Sequence, residues 1–172
     1  MNHLLSEKLI KLETISSNIR SSIIDRTITI EAIISELLIN LLSTEKTRQS
    51  IDKYLFSDTL TFDQKIKLFN SLRKANIFDF HGNGKDIGKN LDFIKNLRNT
   101  MAHSMLNSSD EFLEKTDLKT IEYVSFTDKG TITVRIIIES DVENQNDKEY
   151  GENLIAIRIN YLIDILNTFK KA

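Results

Sequence analysis

Apolar residues recur every three or four positions through the first hundred residues of this chain, and beyond Asp117 they recur every second position. That change of period limits what the chain can become. A repeat near 3.6 belongs to a helix buried along one side, and a repeat of two belongs to a half-buried strand. Leu5, Leu9, Leu12, Ile15 and Ile19 predict a first helix over about residues 4–21. Ile30, Ile33, Ile34, Leu37, Leu38 and Leu41 predict a second over about 28–42. A short third helix is expected within 45–56, and TFDQKIKLFNSL opens a fourth, with Thr61 and Gln64 at capping-box spacing. Leu91, Ile94, Leu97 and Met101 form the buried stripe of a helix over about 89–104. A polar linker is expected at 107–117.

The stretch KTIEYVSFTDKGTITVRIIIES then alternates around Asp128-Lys129-Gly130 and reads as a β-hairpin over about 119–139. Its third strand-like run, LIAIRI, is open to either period, although 154–170 as a whole fits a closing amphipathic helix. Residues 141–151 read as an acidic loop. The fold expected is mainly α, a single domain over 1–172 with core helices at about 4–104, a small C-terminal hairpin and the closing helix. The apolar hairpin either stays within the chain, the expected outcome, or offers an edge to a second chain.

Composition removes several functions. With 172 residues and 40% apolar residues the chain is long enough for one real core. It has no cysteine, which excludes disulfides, thiolate metal sites and cysteine nucleophiles. Its three histidines, His3, His81 and His103, are scattered, so neither a metal site nor a cofactor is expected. The net charge of −2 announces neither nucleic acid nor an anionic membrane. Glu7 and Lys8 interrupt the N-terminal apolar run, and no run reaches the ~20 residues of a membrane helix. A soluble, cytoplasmic protein without membrane contact is the expectation. Gly82, Gly84 and Gly88 miss the dinucleotide spacing, so IFDFHGNGKDIG is read as a loop and not a phosphate cradle.

The candidate site is IKNLRNTMAHS. On a helix Lys95, Asn99 and His103 share one face, and the Asn99 amide is in reach of the His103 ring. Arg98 lies five positions from His103, roughly 140° around the axis, so the two do not meet in a straight helix. A joint site needs the helix to end near His103, Arg98 to bend around, or a second chain to complete it. Histidine exchanges protons near neutral pH, and arginine forks onto phosphate oxygens. Together they suit metal-free RNA cleavage. From Thr61 to His103 there are eight basic and four acidic residues, which makes Lys95 and Lys89 candidate RNA contacts. The bland alternatives stand beside this: His103 as a helix-terminal cap, Arg98 as an ion-pair partner of Asp92, His81 as a solvated loop residue. Glu31 and Glu36 are carboxylates near an apolar face that suit a structural pairing with Arg98 across the bundle, Glu36 the better placed of the two.

LRNTMAH, with Arg98, Asn99 and His103, resembles the R-x4-6-H signature of the HEPN superfamily, the higher eukaryotes and prokaryotes nucleotide-binding domains. The similarity covers roughly Ile24–Ser104. It implies a HEPN-like helical bundle and a metal-independent endoribonuclease, used as a toxin or in phage defence. It also implies a homodimer whose two motifs face one another, RNA as substrate, and an antitoxin or other regulatory protein as partner. On that resemblance Arg98 stabilises the phosphate, His103 transfers protons and Asn99 assists. Two departures matter. Met105 stands where one regulated form of the family has a modifiable tyrosine. The arrangement around Leu60–Leu72 is similar to the mannitol-operon repressor group, which implies a non-catalytic regulatory or scaffold protein as the alternative.

Overall fold

A computed structural model describes residues 3–56, 59–78 and 86–169, so His81, Gly82 and Gly84 lie outside the described residues. The protein is mainly helical with a small five-stranded sheet. Its chain forms two compact units, Met1–Asp25 with Asn96–Arg158, and Arg26–Lys95 with Ile159–Ala172.

The two helices expected at 4–21 and 28–42 are one, α1 (His3–Leu42). Neither glycine nor proline stands between Ser21 and Ile28 to stop it. The buried positions Ile19, Ile23, Thr27, Ile30 and Ile34 keep the helical spacing through the supposed break. A buried threonine in an otherwise aliphatic stripe hides that continuity from a count of apolar residues.

In the first unit the hairpin forms where the alternation places it, as β2 (Thr120–Thr127) and β3 (Gly130–Ile137). Ile121 stands opposite Ile136 and Tyr123 opposite Val134, and all four are buried. Leu12, Ser16, Ile19 and Ile23 of α1 are also buried, and the Tyr123 and Ser16 hydroxyls are 3.1 Å apart. Burial pushes the Tyr123 phenol up, which keeps it a neutral hydrogen-bonding group.

Three short strands complete the sheet and correct the expectation of a bare hairpin. They are β1 (Met105–Leu106), β4 (Glu143–Asn144) and β5 (Glu149–Gly151), in the order β1-β2-β3-β5-β4. β5 runs parallel to β3 and pairs with it over residues 135–137, so the C-terminal part of the most apolar strand lies inside the sheet. Such short strands are recruited by main-chain hydrogen bonds and leave no alternating signature, which is why 141–151 reads as plain loop.

On the outer face Glu122 accepts from Asn107 Nδ2 at 2.8 Å and from Arg135 Nε at 2.7 Å. Arg135 Nη1 reaches Glu149 at 3.1 Å. The expected linker also contains a helix, α5 (Asp110–Lys115), whose N-terminal N–H of Phe112 donates to Ser109 Oγ. Lys8 Nζ closes its other end on the carbonyls of Leu113 and Thr116, at 2.9 and 3.0 Å.

The second unit is helical. It takes in α2 (Arg48–Phe56), α3 (Phe62–Lys74), and parts of α4 (Ile87–His103) and α6 (Glu152–Phe169). LIAIRI is therefore helix, not strand. The Thr61 capping box is complete: Gln64 N–H donates to Thr61 Oγ1, and Thr61 N–H donates to Gln64 Oε1. Phe69, Phe78 and Phe169 meet with ring centroids 5.2–5.7 Å apart.

Lys65 is the exception in this core, only 3% exposed, with Nζ 2.6 Å from Glu31 Oε1. Glu31→Ala strands that ammonium. We expect a loss of about 2–3 kcal/mol, somewhat below a fully buried pair because the carboxylate is partly exposed. A urea midpoint that falls at unchanged slope reads this directly. Glu111→Ala, which breaks an exposed pair with Lys115, is the control and is expected to shift nothing measurable.

Candidate functional site

The stripe Leu91, Ile94, Leu97 and Met101 is buried, as the spacing predicts, and it fixes which residues α4 turns outward. Arg98, Asn99 and His103 all belong to the first unit. His103 is the last residue of α4 and is exposed. Among the described residues it makes no hydrogen bond and no ion pair, so both ring nitrogens are open to a ligand. Arg98 is half-buried, and Nη1 donates to Asn99 Oδ1 at 3.3 Å. Asn99 thus engages Arg98, and the expected amide–imidazole bond to His103 is not formed. No carboxylate pairs with Arg98 among the described residues, so most of its fork remains available. The bland expectation of an Arg98–Asp92 pair is not met among the described residues; Asp92 accepts from Lys95 at 3.3 Å.

The end of α4 is held more firmly than its sequence suggests. A helix leaves its last carbonyls without intrahelical partners and with partial negative charge. Arg20 answers both. Its Nη1 donates to Met101 O at 2.9 Å and its Nη2 to Ser104 O at 2.7 Å. The guanidinium also lies over the Tyr123 ring, 4.7 Å from the centroid.

On the far side Ser104 is buried, and its hydroxyl bonds that of Ser125. The chain then enters β1 with Met105 opposite Val124. His103 is therefore an exposed imidazole, without a partner among the described residues, on a backbone fixed from two sides. Arg20 was missed in the sequence because it acts over 81 and 84 positions, with no local signal to mark it.

Lys95 and Lys89, the candidate RNA contacts, belong to the second unit. Lys95 Nζ is 2.9 Å from Asp63 Oδ1 and 3.3 Å from Asp92 Oδ1. The hydrogen bond to Asp63 holds its ammonium above the usual range. Asp63 also takes Lys67 at 2.6 Å, and its carboxyl is held low by Lys67 first and Lys95 second. With Lys65 bound to Glu31, three of the eight basic residues counted between Thr61 and His103 have their charge met locally. Lys89 is exposed and has no partner among the described residues. Glu31, expected to suit an arginine, is engaged by Lys65.

Among the described residues no group of three or more histidine and carboxylate side chains is arranged to hold a metal ion. No described helix is long and apolar enough to cross a membrane. Comparison with protein-family models, curated proteins and solved structures finds no match to this chain.

Proposed function

We propose that the protein is a metal-independent endoribonuclease of the HEPN type, acting as a homodimer in a toxin or phage-defence role under the control of a partner protein. The observation that carries this reading is the exposed His103 at the braced end of α4, without a partner among the described residues and close in sequence to an Arg98 that no described carboxylate neutralises. A histidine kept for stability is expected to have a partner; one kept for chemistry needs open nitrogens.

In the reaction the 2′-hydroxyl oxygen attacks phosphorus and the bond to the 5′-oxygen breaks. One imidazole takes the 2′-hydroxyl proton, and an imidazolium gives a proton to the departing 5′-oxygen. The products are a 2′,3′-cyclic phosphate and a 5′-hydroxyl. Arg98 offsets the charge that develops on the phosphoryl oxygens, with its guanidinium turned by Asn99. A single copy has one such histidine and an Arg98 about 140° away around the helix. Two copies supply a second histidine and a route for each Arg98 to serve the other's site.

The test is cleavage of total tRNA and mRNA by purified protein in excess EDTA, with the new ends analysed. Cleavage with 2′,3′-cyclic phosphate ends is expected. Cleavage that stops with EDTA, or none at any protein concentration, overturns the reading.

One observation favours the alternative, a non-catalytic HEPN-like regulatory or scaffold protein. Lys95 is tied to Asp63 and Asp92, which leaves less free positive charge for an RNA backbone. That reading expects RNA to remain uncut and His103 substitutions to be silent.

A further inference from the structure

Helices that hold phosphate use their N-terminal end, where N–H groups point outward and the dipole is positive. The His103 site stands at the other end, because His103 closes α4. The last carbonyls of a helix carry about half an elementary negative charge between them. That charge repels a bound phosphodiester. It repels the transition state more, since the phosphoryl group gains a second negative charge as the 2′-hydroxyl loses its proton. A ribonuclease centre at this place needs the helix end reversed in sign.

We propose that Arg20 is a positioning residue of that centre, whose charge turns the carbonyl end of α4 into one that accepts an RNA phosphate. This rests on the ribonuclease reading above. Arg20 Nη1 and Nη2 donate to the Met101 and Ser104 carbonyls at 2.9 and 2.7 Å, and all three residues belong to the first unit. One full positive charge against about half a negative one leaves the end of α4 positive by about half a unit. No described group cancels it. No carboxylate pairs with Arg20 among the described residues, and the last turn of α4 has no acidic side chain. The guanidinium lies over the Tyr123 ring, 4.7 Å from the centroid, and burial keeps that phenol neutral. Both Nη atoms are engaged by carbonyls, so Arg20 acts on the phosphate through its field, and contact is left to Arg98.

Arg20→Gln and Arg20→Lys separate the charge from the brace. Each can still donate to a carbonyl and each loses the fork, but only lysine keeps the cation. A short 2′-O-methyl RNA, which cannot be cut by this route, isolates binding from chemistry. At low salt Arg20→Gln is expected to bind it roughly 2- to 30-fold more weakly than Arg20→Lys, with a further loss in kcat on cleavable RNA. The gap is expected to shrink from ~0.01 to ~0.15 M salt, as the Debye length falls from about 30 to about 8 Å. Arg20→Met, a second neutral variant, is expected to follow Arg20→Gln. All assays are run below the lowest melting temperature in the set, so that lost fold does not enter. Equal binding and kcat in the glutamine and lysine variants overturn the proposal, because Arg20 is then a brace alone. A gap that ignores salt overturns it too. Cleavage by wild type with such results keeps the ribonuclease and discards the charge role. A lysine-rescued, salt-sensitive gap in binding without any cleavage keeps the charge role and discards the ribonuclease.

Discussion

His103→Ala is expected to lower RNA cleavage at least ~100-fold, the minimum usually lost with a general acid–base group, while the melting temperature moves by no more than about 1–2 °C. The two halves of that expectation come from separate observations. The imidazole is exposed and touches no described hydrogen-bonding group, so removing it leaves no donor or acceptor stranded. The work of ending α4 falls to Arg20, to the Ser104 N–H that donates to Thr100 O at 2.9 Å, and to β1. A histidine that served as the C-terminal cap would give the opposite result, lost stability with activity following it down. Arg98→Lys separates charge from shape at the same centre. It keeps the cation and loses the fork, so a partial loss between wild type and His103→Ala is expected. Equal cleavage by wild type and His103→Ala would mean that the nuclease activity belongs to a contaminant and that the site assignment fails.

The parts of this fold that were legible in the sequence are those fixed by near neighbours. The α4 stripe, the Thr61–Gln64 box and the hairpin turn at Asp128-Lys129 each depend on residues within a few positions, and each is found where expected. What escaped depends on distance along the chain. Lys65 finds Glu31 across 34 positions, and Arg20 reaches the end of α4 across more than eighty. β5 lies beside β3 through main-chain bonds that no side-chain pattern announces, such as Arg135 N–H to Lys148 O at 3.0 Å.

The candidate site divides in the same way. Arg98, Asn99 and His103 are visible as a motif, and α4 presents them as helical spacing requires. Their partners are not visible: Asn99 was expected to serve His103 and engages Arg98, and Lys95, a candidate RNA contact, is held by two carboxylates.

Gly151→Ala is expected to be the most destabilising small substitution in the sheet, costing about 4 kcal/mol, near the upper limit for forcing atoms into occupied space. A Cβ at Gly151 would stand 1.9 Å from the Ser140 carbonyl oxygen and 2.8 Å from the Val142 nitrogen. Both obstacles are backbone, so no side-chain rotation relieves them. The closeness is itself structural. Gly151 N–H donates to Val142 O at 2.7 Å, and Asn153 N–H donates to Ser140 O at 3.1 Å, so the chain at 140–142 is bonded directly across the join between β5 and α6. Moving it aside breaks those bonds and the pairing of β5 with β3.

Gly130→Ala makes the comparison that identifies the cause. Gly130 has φ +116°, but nothing lies within 4 Å of its missing Cβ. Its substitution therefore costs backbone strain alone, about 1–3 kcal/mol. Thermal melts are expected to drop by roughly 8–15 °C for Gly151→Ala and by a smaller amount, roughly 2–10 °C, for Gly130→Ala. Amide exchange at Arg135, whose N–H donates to Lys148 O, is expected to accelerate in Gly151→Ala and to stay slow in Gly130→Ala. Equal losses in the two variants would mean that the 140–142 segment yields freely, and that β5 is not held by the close approach at Gly151.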